Sequence, residues 1–125
     1  EALVFPGWHD ALLMANGDIT VQTSVVDIAR KRNWPEPYKI RVLNNDLVRR
    51  WHNREHEIQE VQDELVSLYE EAARNGDANN YGVIVGENVG LITSIEPAAA
   101  AMERMVSEAE SLLHNAPSFS DVANP

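Results

Sequence analysis

Apolar positions along the chain change period several times, and each change marks an element. "FPGWHDALLMANGD", residues 5–18, reads as a short helix that Pro6 can open and Gly17 can stop. Ile19, Val21, Thr23 and Val25 then alternate with polar neighbours, the period of a strand. Val25, Val26, Ile28 and Ala29 read equally as the first turn of a helix. Pro35 and Pro37 push Trp34 and Glu36 toward extended geometry and break any helix there. A helical half comes next, with Asn44, Asn45 or Asp46 as possible N-caps. Its apolar positions are Leu47, Val48 and Trp51, then Ile58, Val61, Leu65, Leu68, Tyr69 and Ala72, and Asn75-Gly76 is a natural stop. "YGVIVGENVGLITSI", residues 81–95, is apolar but interrupted by Gly82, Gly86 and Gly90, which predicts an irregular path or a very short strand. Pro97 opens the last helix, ended by Asn115 and Pro117. Its stripe of Met102, Met105, Val106, Ala109, Leu112 and Leu113 is the cleanest in the chain, so this helix is expected to be the best-packed element. The pattern is mainly α with minor β, without internal repeats.

Composition narrows the classes. The chain has 125 residues, the size of one ordinary domain. Ten basic against twenty acidic residues give a net charge of −10, which argues against nucleic acid and anionic membrane as partners. The absence of cysteine excludes disulfides, thiolate zinc sites and cysteine nucleophiles. No apolar run approaches the ~20 residues of a membrane-spanning helix. "EALVFPGWHDALL" lacks the basic start of a signal peptide and begins without methionine, so the chain is expected to be processed or a piece of something longer, in a cytoplasmic compartment.

Candidate chemistry is sparse. His52 and His56 have the four-residue spacing of metal ligands on a helix, but Asn53 stands where a zinc-protease pattern needs its glutamate. A solvated charged face with Arg49, Arg50, Arg54, Glu55, Glu57 and Glu60 is the simpler reading, and no metal site is expected. Glu57, Glu60, Asp63, Glu64, Glu70 and Glu71 read as the wet side of an amphipathic helix. Trp8, Trp34 and Trp51 read as core or interface before they read as a ligand wall. The "GENVG" loop, Gly86–Gly90, matches neither the dinucleotide fingerprint nor the phosphate loop and carries no lysine. On pattern alone it is a tight connection.

Three stretches taken in order say more. Gly17-Asp18-x-Thr20, Thr23, Trp34-Pro35, Arg41-x-Leu43-x-Asn45 and Trp51-x-x-Arg54-Glu55 resemble the region after the last barrel strand in nitronate monooxygenases, formerly called 2-nitropropane dioxygenases. "VGENVGLITSIEPAAAAMERMVSEAESLL" resembles the closing segment of that family, a Gly-Gln/Glu-x-x-Gly-Leu-Ile loop before a Pro-Ala helix. The opening is similar to the segment after the family's Gly-Thr-Arg-Phe strand end. The likeness covers nearly the whole chain, to about Ala116, and only the ordered set is specific.

That resemblance implies an FMN enzyme on a (β/α)₈ barrel of about 250 residues, of which this chain would be the C-terminal portion. Residues 1–80 would be an α-rich lid, 81–116 the glycine loop and final barrel helix, and 117–125 a tail. The flavin-phosphate glycines and the catalytic histidine of the family would lie upstream, since His9, His52, His56 and His114 match no catalytic position. By the same resemblance Gly86, Glu87, Asn88 and Gly90 would line the FMN, and Thr23, Arg41, Asn45 and Trp51 would set the shape of a lid over a small-molecule substrate. Glu87 stands where many members have glutamine, which leaves nitronate against quinone or NADH open. The isolated chain would bind no FMN, be inactive and self-associate. The alternative is a free-standing helical interaction module using Met102, Met105, Trp34 and Trp51.

Overall fold

A computed structural model describes residues 6–32 and 34–116. The tail expected over 117–125 and the start of the opening stretch lie outside the described residues. The described chain forms two units, 6–95 and 96–116, each treated by itself. It is mostly helical, with one small sheet.

The first unit begins with α1 (Pro6–Leu13) and a 3-10 turn at Gly17–Ile19, followed by β1 (Thr20–Thr23) and α2 (Val25–Ala29). Both readings of residues 19–29 are therefore realised, one after the other. Thr23 makes the switch: its hydroxyl accepts the Val25 N–H at 3.2 Å and satisfies a donor that opens α2. β2 (Ile40–Leu43) pairs antiparallel with β1, Thr20 opposite Leu43 and Thr23 opposite Ile40. The free edge of β2 is covered by residues 83–85. There Leu43 N–H donates to Val83 O at 3.0 Å, Val85 N–H donates to Arg41 O at 3.1 Å, and Val42 bridges Ile84. Strand alternation sends Val42 into one core cluster, with Val25, Val26, Val48, Ile58, Leu65 and Tyr69, and Leu43 into a second, with Ala15, Val83 and Val89. Tyr81 stands between them, its ring 4.3 Å from Tyr69 and 5.3 Å from Trp8. Burial, with Tyr81 beside it, pushes the Tyr69 phenol well above its ordinary value.

The helical half is not continuous. α3 (Asp46–Trp51) is capped by Asn45, whose side chain accepts the Val48 N–H. It stops at His52, and Asn53 takes a left-handed φ of 64°, a conformation asparagine tolerates. A 3-10 stretch, Glu55–Glu60, leads to α4 (Gln62–Asn75). The reason is visible in the pattern: His52 to Glu57 carries no apolar side chain, so a continued helix would bury nothing over that span. The expected shared helix face of His52 and His56 is therefore absent. Gly76 ends α4 with φ 67°, as its sequence position suggests.

The second unit is α5 (Ala98–His114), opened by Pro97 and closed by Asn115, whose amide donates to Ser111 O at 2.8 Å. Its expected status as the best-packed element is overturned: none of its residues is buried, and Met102, Met105 and Leu113 are 66, 63 and 77% exposed. An apolar stripe states which face seeks a partner, and the second unit itself holds no element to cover that face.

Candidate functional site

β1, β2 and the loop after Val85 enclose an open groove of about 490 Å³, lined by Gln22, Arg41, Val85, Gly86, Glu87 and Asn88. The strand register sets Gln22 opposite Arg41, and the Val85–Arg41 backbone bond holds the loop against that pair. Arg41 is clamped twice. Its Nη1 donates to Thr20 Oγ1 at 3.0 Å, and its Nη2 lies 2.6 Å from Glu87 Oε1. The Thr20 hydroxyl in turn donates to Gly17 O at 2.9 Å. The guanidinium is mostly covered whereas the Glu87 side chain is 70% exposed, so the pair offers the groove a neutralised but strongly dipolar wall.

Two glycines of the loop differ in kind. A Cβ at Gly90 would press on Asn16 Cα at 3.3 Å and Gly17 N at 3.5 Å, so its bareness serves the packing of one loop on another. Gly86 has ordinary extended backbone, and a Cβ there would meet nothing nearer than Asn88 N at 3.9 Å. Nothing in the described fold requires a glycine at Gly86.

Of the residues singled out by sequence, Gly86, Glu87, Asn88 and Arg41 come together on this groove. Gly90 turns to the Asn16–Gly17 backbone instead. Thr23 is fully buried and donates to Glu55 Oε1 at 3.2 Å. Asn45, besides capping α3, donates to Ala78 O at 2.8 Å and Tyr81 O at 2.6 Å, tying α3 to the start of the glycine stretch. Trp51 packs on the first core cluster, with the Arg50 and Arg54 guanidinium carbons 5.3 and 5.8 Å from its ring centroid. His52 lies 3.7 Å from Glu55 and His56 points into solvent. Among the described residues no group of three or more metal-ligating side chains converges. Gln22 was not singled out, although its place opposite Arg41 follows from pairing two alternating strands. Trp34, read as core or interface, is 64% exposed and lines a separate cleft.

No protein-family model matches the chain, and no solved structure matches it significantly. Among curated proteins it is similar to the nitronate monooxygenase npaC of Metarhizium robertsii, 31% identical over 121 residues that cover 90% of this chain and 32% of the relative. The chain thus spans about a third of the length of that relative. Among the described residues, no helix is long and apolar enough to cross a membrane.

Proposed function

We propose that this chain is part of a flavin-dependent oxidoreductase of the nitronate monooxygenase kind, and that the groove at Gly86 is its share of the FMN site. The carrying observation is the convergence of Gly86, Glu87, Asn88 and Arg41 on one groove where a side-chain-free backbone serves no packing need of its own. The similarity to an enzyme of that name supports the same reading.

The residues present suit the edge of a flat heterocycle rather than its phosphate. Gly86 leaves room for a ring to lie on the backbone. The sole cationic side chain lining the groove, Arg41, is already committed to Glu87 and Thr20. Bound flavin supplies electron transfer between substrate and dioxygen. The chain's own contribution is positional: the Val85–Arg41 bond fixes the loop, and the Arg41–Glu87 pair holds a dipole at the rim. The phosphate-binding glycines and a catalytic base would belong to a barrel contributed from outside these residues, in a cytoplasmic enzyme. Within this class, nitronate and quinone or NADH substrates remain the two branches, separated by assay. In the test, the complete protein is purified from its native reading frame, its flavin is counted, and turnover of an alkyl nitronate is compared with NADH-dependent quinone reduction. A yellow protein that consumes dioxygen with nitronate supports the proposal; a colourless protein inactive in both assays overturns it.

A further inference from the structure

The first unit carries a second concave site, away from the groove at Gly86. Between α2 and β2 the chain folds round a cleft of about 580 Å³, within the range of small-ligand pockets. Two large aromatic faces, Trp34 and Tyr38, stand in it 64 and 67% exposed, supporting none of the core. Three exposed cations, Arg30, Arg32 and Lys39, share the lining. In a chain of net charge −10 this is an unusual concentration. Of the seven cations elsewhere among the described residues, five are paired, Lys31 with Asp63, Arg41 with Glu87, Arg49 with Asp46, Arg54 with Glu57 and Arg104 with Glu96; Arg50 and Arg74 are the exceptions. Among the described residues Arg30, Arg32 and Lys39 have no such partner. The one carboxylate lining the cleft is Asp27, nine-tenths buried, with its Oδ1 lacking any hydrogen bond. Burial raises its pKa, against a smaller opposing pull from Arg30 and Arg32. A buried acceptor without a donor marks a place where something else supplies one.

We propose that this cleft binds a nucleoside phosphate. The base would lie on Trp34 and Tyr38, since stacking on exposed aromatic rings needs only a flat π-face. The phosphate would take Arg30, Arg32 and Lys39: the two guanidinium forks match phosphate oxygens, and the Lys39 ammonium adds a point charge. Asp27 lines the same cleft and sets a carboxyl group beside the polar edge of such a base. A simple anion would leave both aromatic rings unused, and a neutral aromatic would leave three cations uncompensated. A nucleic-acid strand would meet the repulsion of the rest of the acidic chain.

Calorimetric titration of the full 125-residue chain with ADP, adenosine, inorganic pyrophosphate and a short single-stranded RNA tests this. ADP is expected to bind saturably, at least tenfold tighter than either adenosine or pyrophosphate. Trp34→Ala should weaken ADP tenfold or more while leaving pyrophosphate unchanged, and Arg32→Gln should weaken both. Each is an exposed position, and circular dichroism checks that the variants fold. Equal affinity for ADP and pyrophosphate with Trp34→Ala silent would reduce the cleft to a cationic patch and overturn the proposal. So would RNA binding tighter than ADP, or no heat with any ligand.

Discussion

α4 and α5 carry the same kind of message in sequence and meet different fates. Both are amphipathic, both are closed by a recognisable stop, and α5 has the cleaner stripe. Yet α4 buries Leu65, Tyr69 and Ala72, whereas α5 buries nothing. The difference is in what surrounds them. α4 shares its unit with α2, α3 and the 3-10 stretch at Glu55–Glu60, which together supply Val25, Val26, Val48 and Ile58 as partners. Within its own unit α5 has no second element to cover its apolar face. Under the proposed function that cover is the barrel.

Substitutions sharpen this contrast. The largest effect belongs to the core beneath α4. Ile58→Ala removes a side chain with no exposed surface and should cost about 2–5 kcal/mol by urea unfolding. A loss under about 0.5 kcal/mol would mean the first cluster is not a real core. Asn45→Ala comes next. It removes the α3 cap and the two carbonyl contacts that anchor residues 78–81, for a loss of about 2 kcal/mol; Asn45→Asp should restore the cap but not the two donated bonds.

Asp27→Asn has a smaller effect whose pH dependence identifies it. Asp27 has a folded pKa raised above 3.8, so the folded state holds that proton more tightly than the unfolded one. The native protein therefore gains stability as pH falls through the raised value toward 3.8 and loses it as pH rises. The variant should melt higher than the parent at pH 7, with an advantage that shrinks on acidification through that window. An advantage that does not change with pH would show that burial of the charge is not its origin. Smallest of all, Met105→Asp should shift stability by less than about 0.5 kcal/mol, because the position is 63% exposed. Its effect should appear instead in sedimentation: the parent chain is expected to self-associate through the α5 stripe, and the variant to do so less. A monomeric parent at high concentration would contradict the first part.

Local chemistry was the legible part of the sequence. An N-cap among Asn44, Asn45 and Asp46, a stop at Gly76 and a helix start at Pro97 each depend on one or two residues and their backbone preferences; the cap is Asn45, and the other two stand where expected. What depends on neighbours distant in sequence was not. Gly86 and Gly90 look alike in "GENVG", and only the approach of Asn16 and Gly17 separates the one that packs from the one that stands open. The break after Trp51 lies in a polar run, His52 to Glu57, flanked on both sides by apolar residues at helical spacing. The walls of the cleft at Trp34 come from α2, a proline loop and β2, which no periodicity in the sequence joins. Gln22 belongs to the groove at Gly86 only through the pairing of β1 with β2, which sets it opposite Arg41.

The central claim is that Gly86 is bare for the sake of a bound flavin. The most direct test is the FMN content of the complete protein with Gly86→Val, set beside the thermal midpoint of the 125-residue chain carrying the same change. The account predicts stoichiometric FMN in the parent and its loss in the variant, while the midpoint of the isolated chain stays within about 2 °C, since a Cβ at this position meets nothing nearer than 3.9 Å. Full retention of FMN and turnover by the variant, or a parent that carries no flavin, would contradict it.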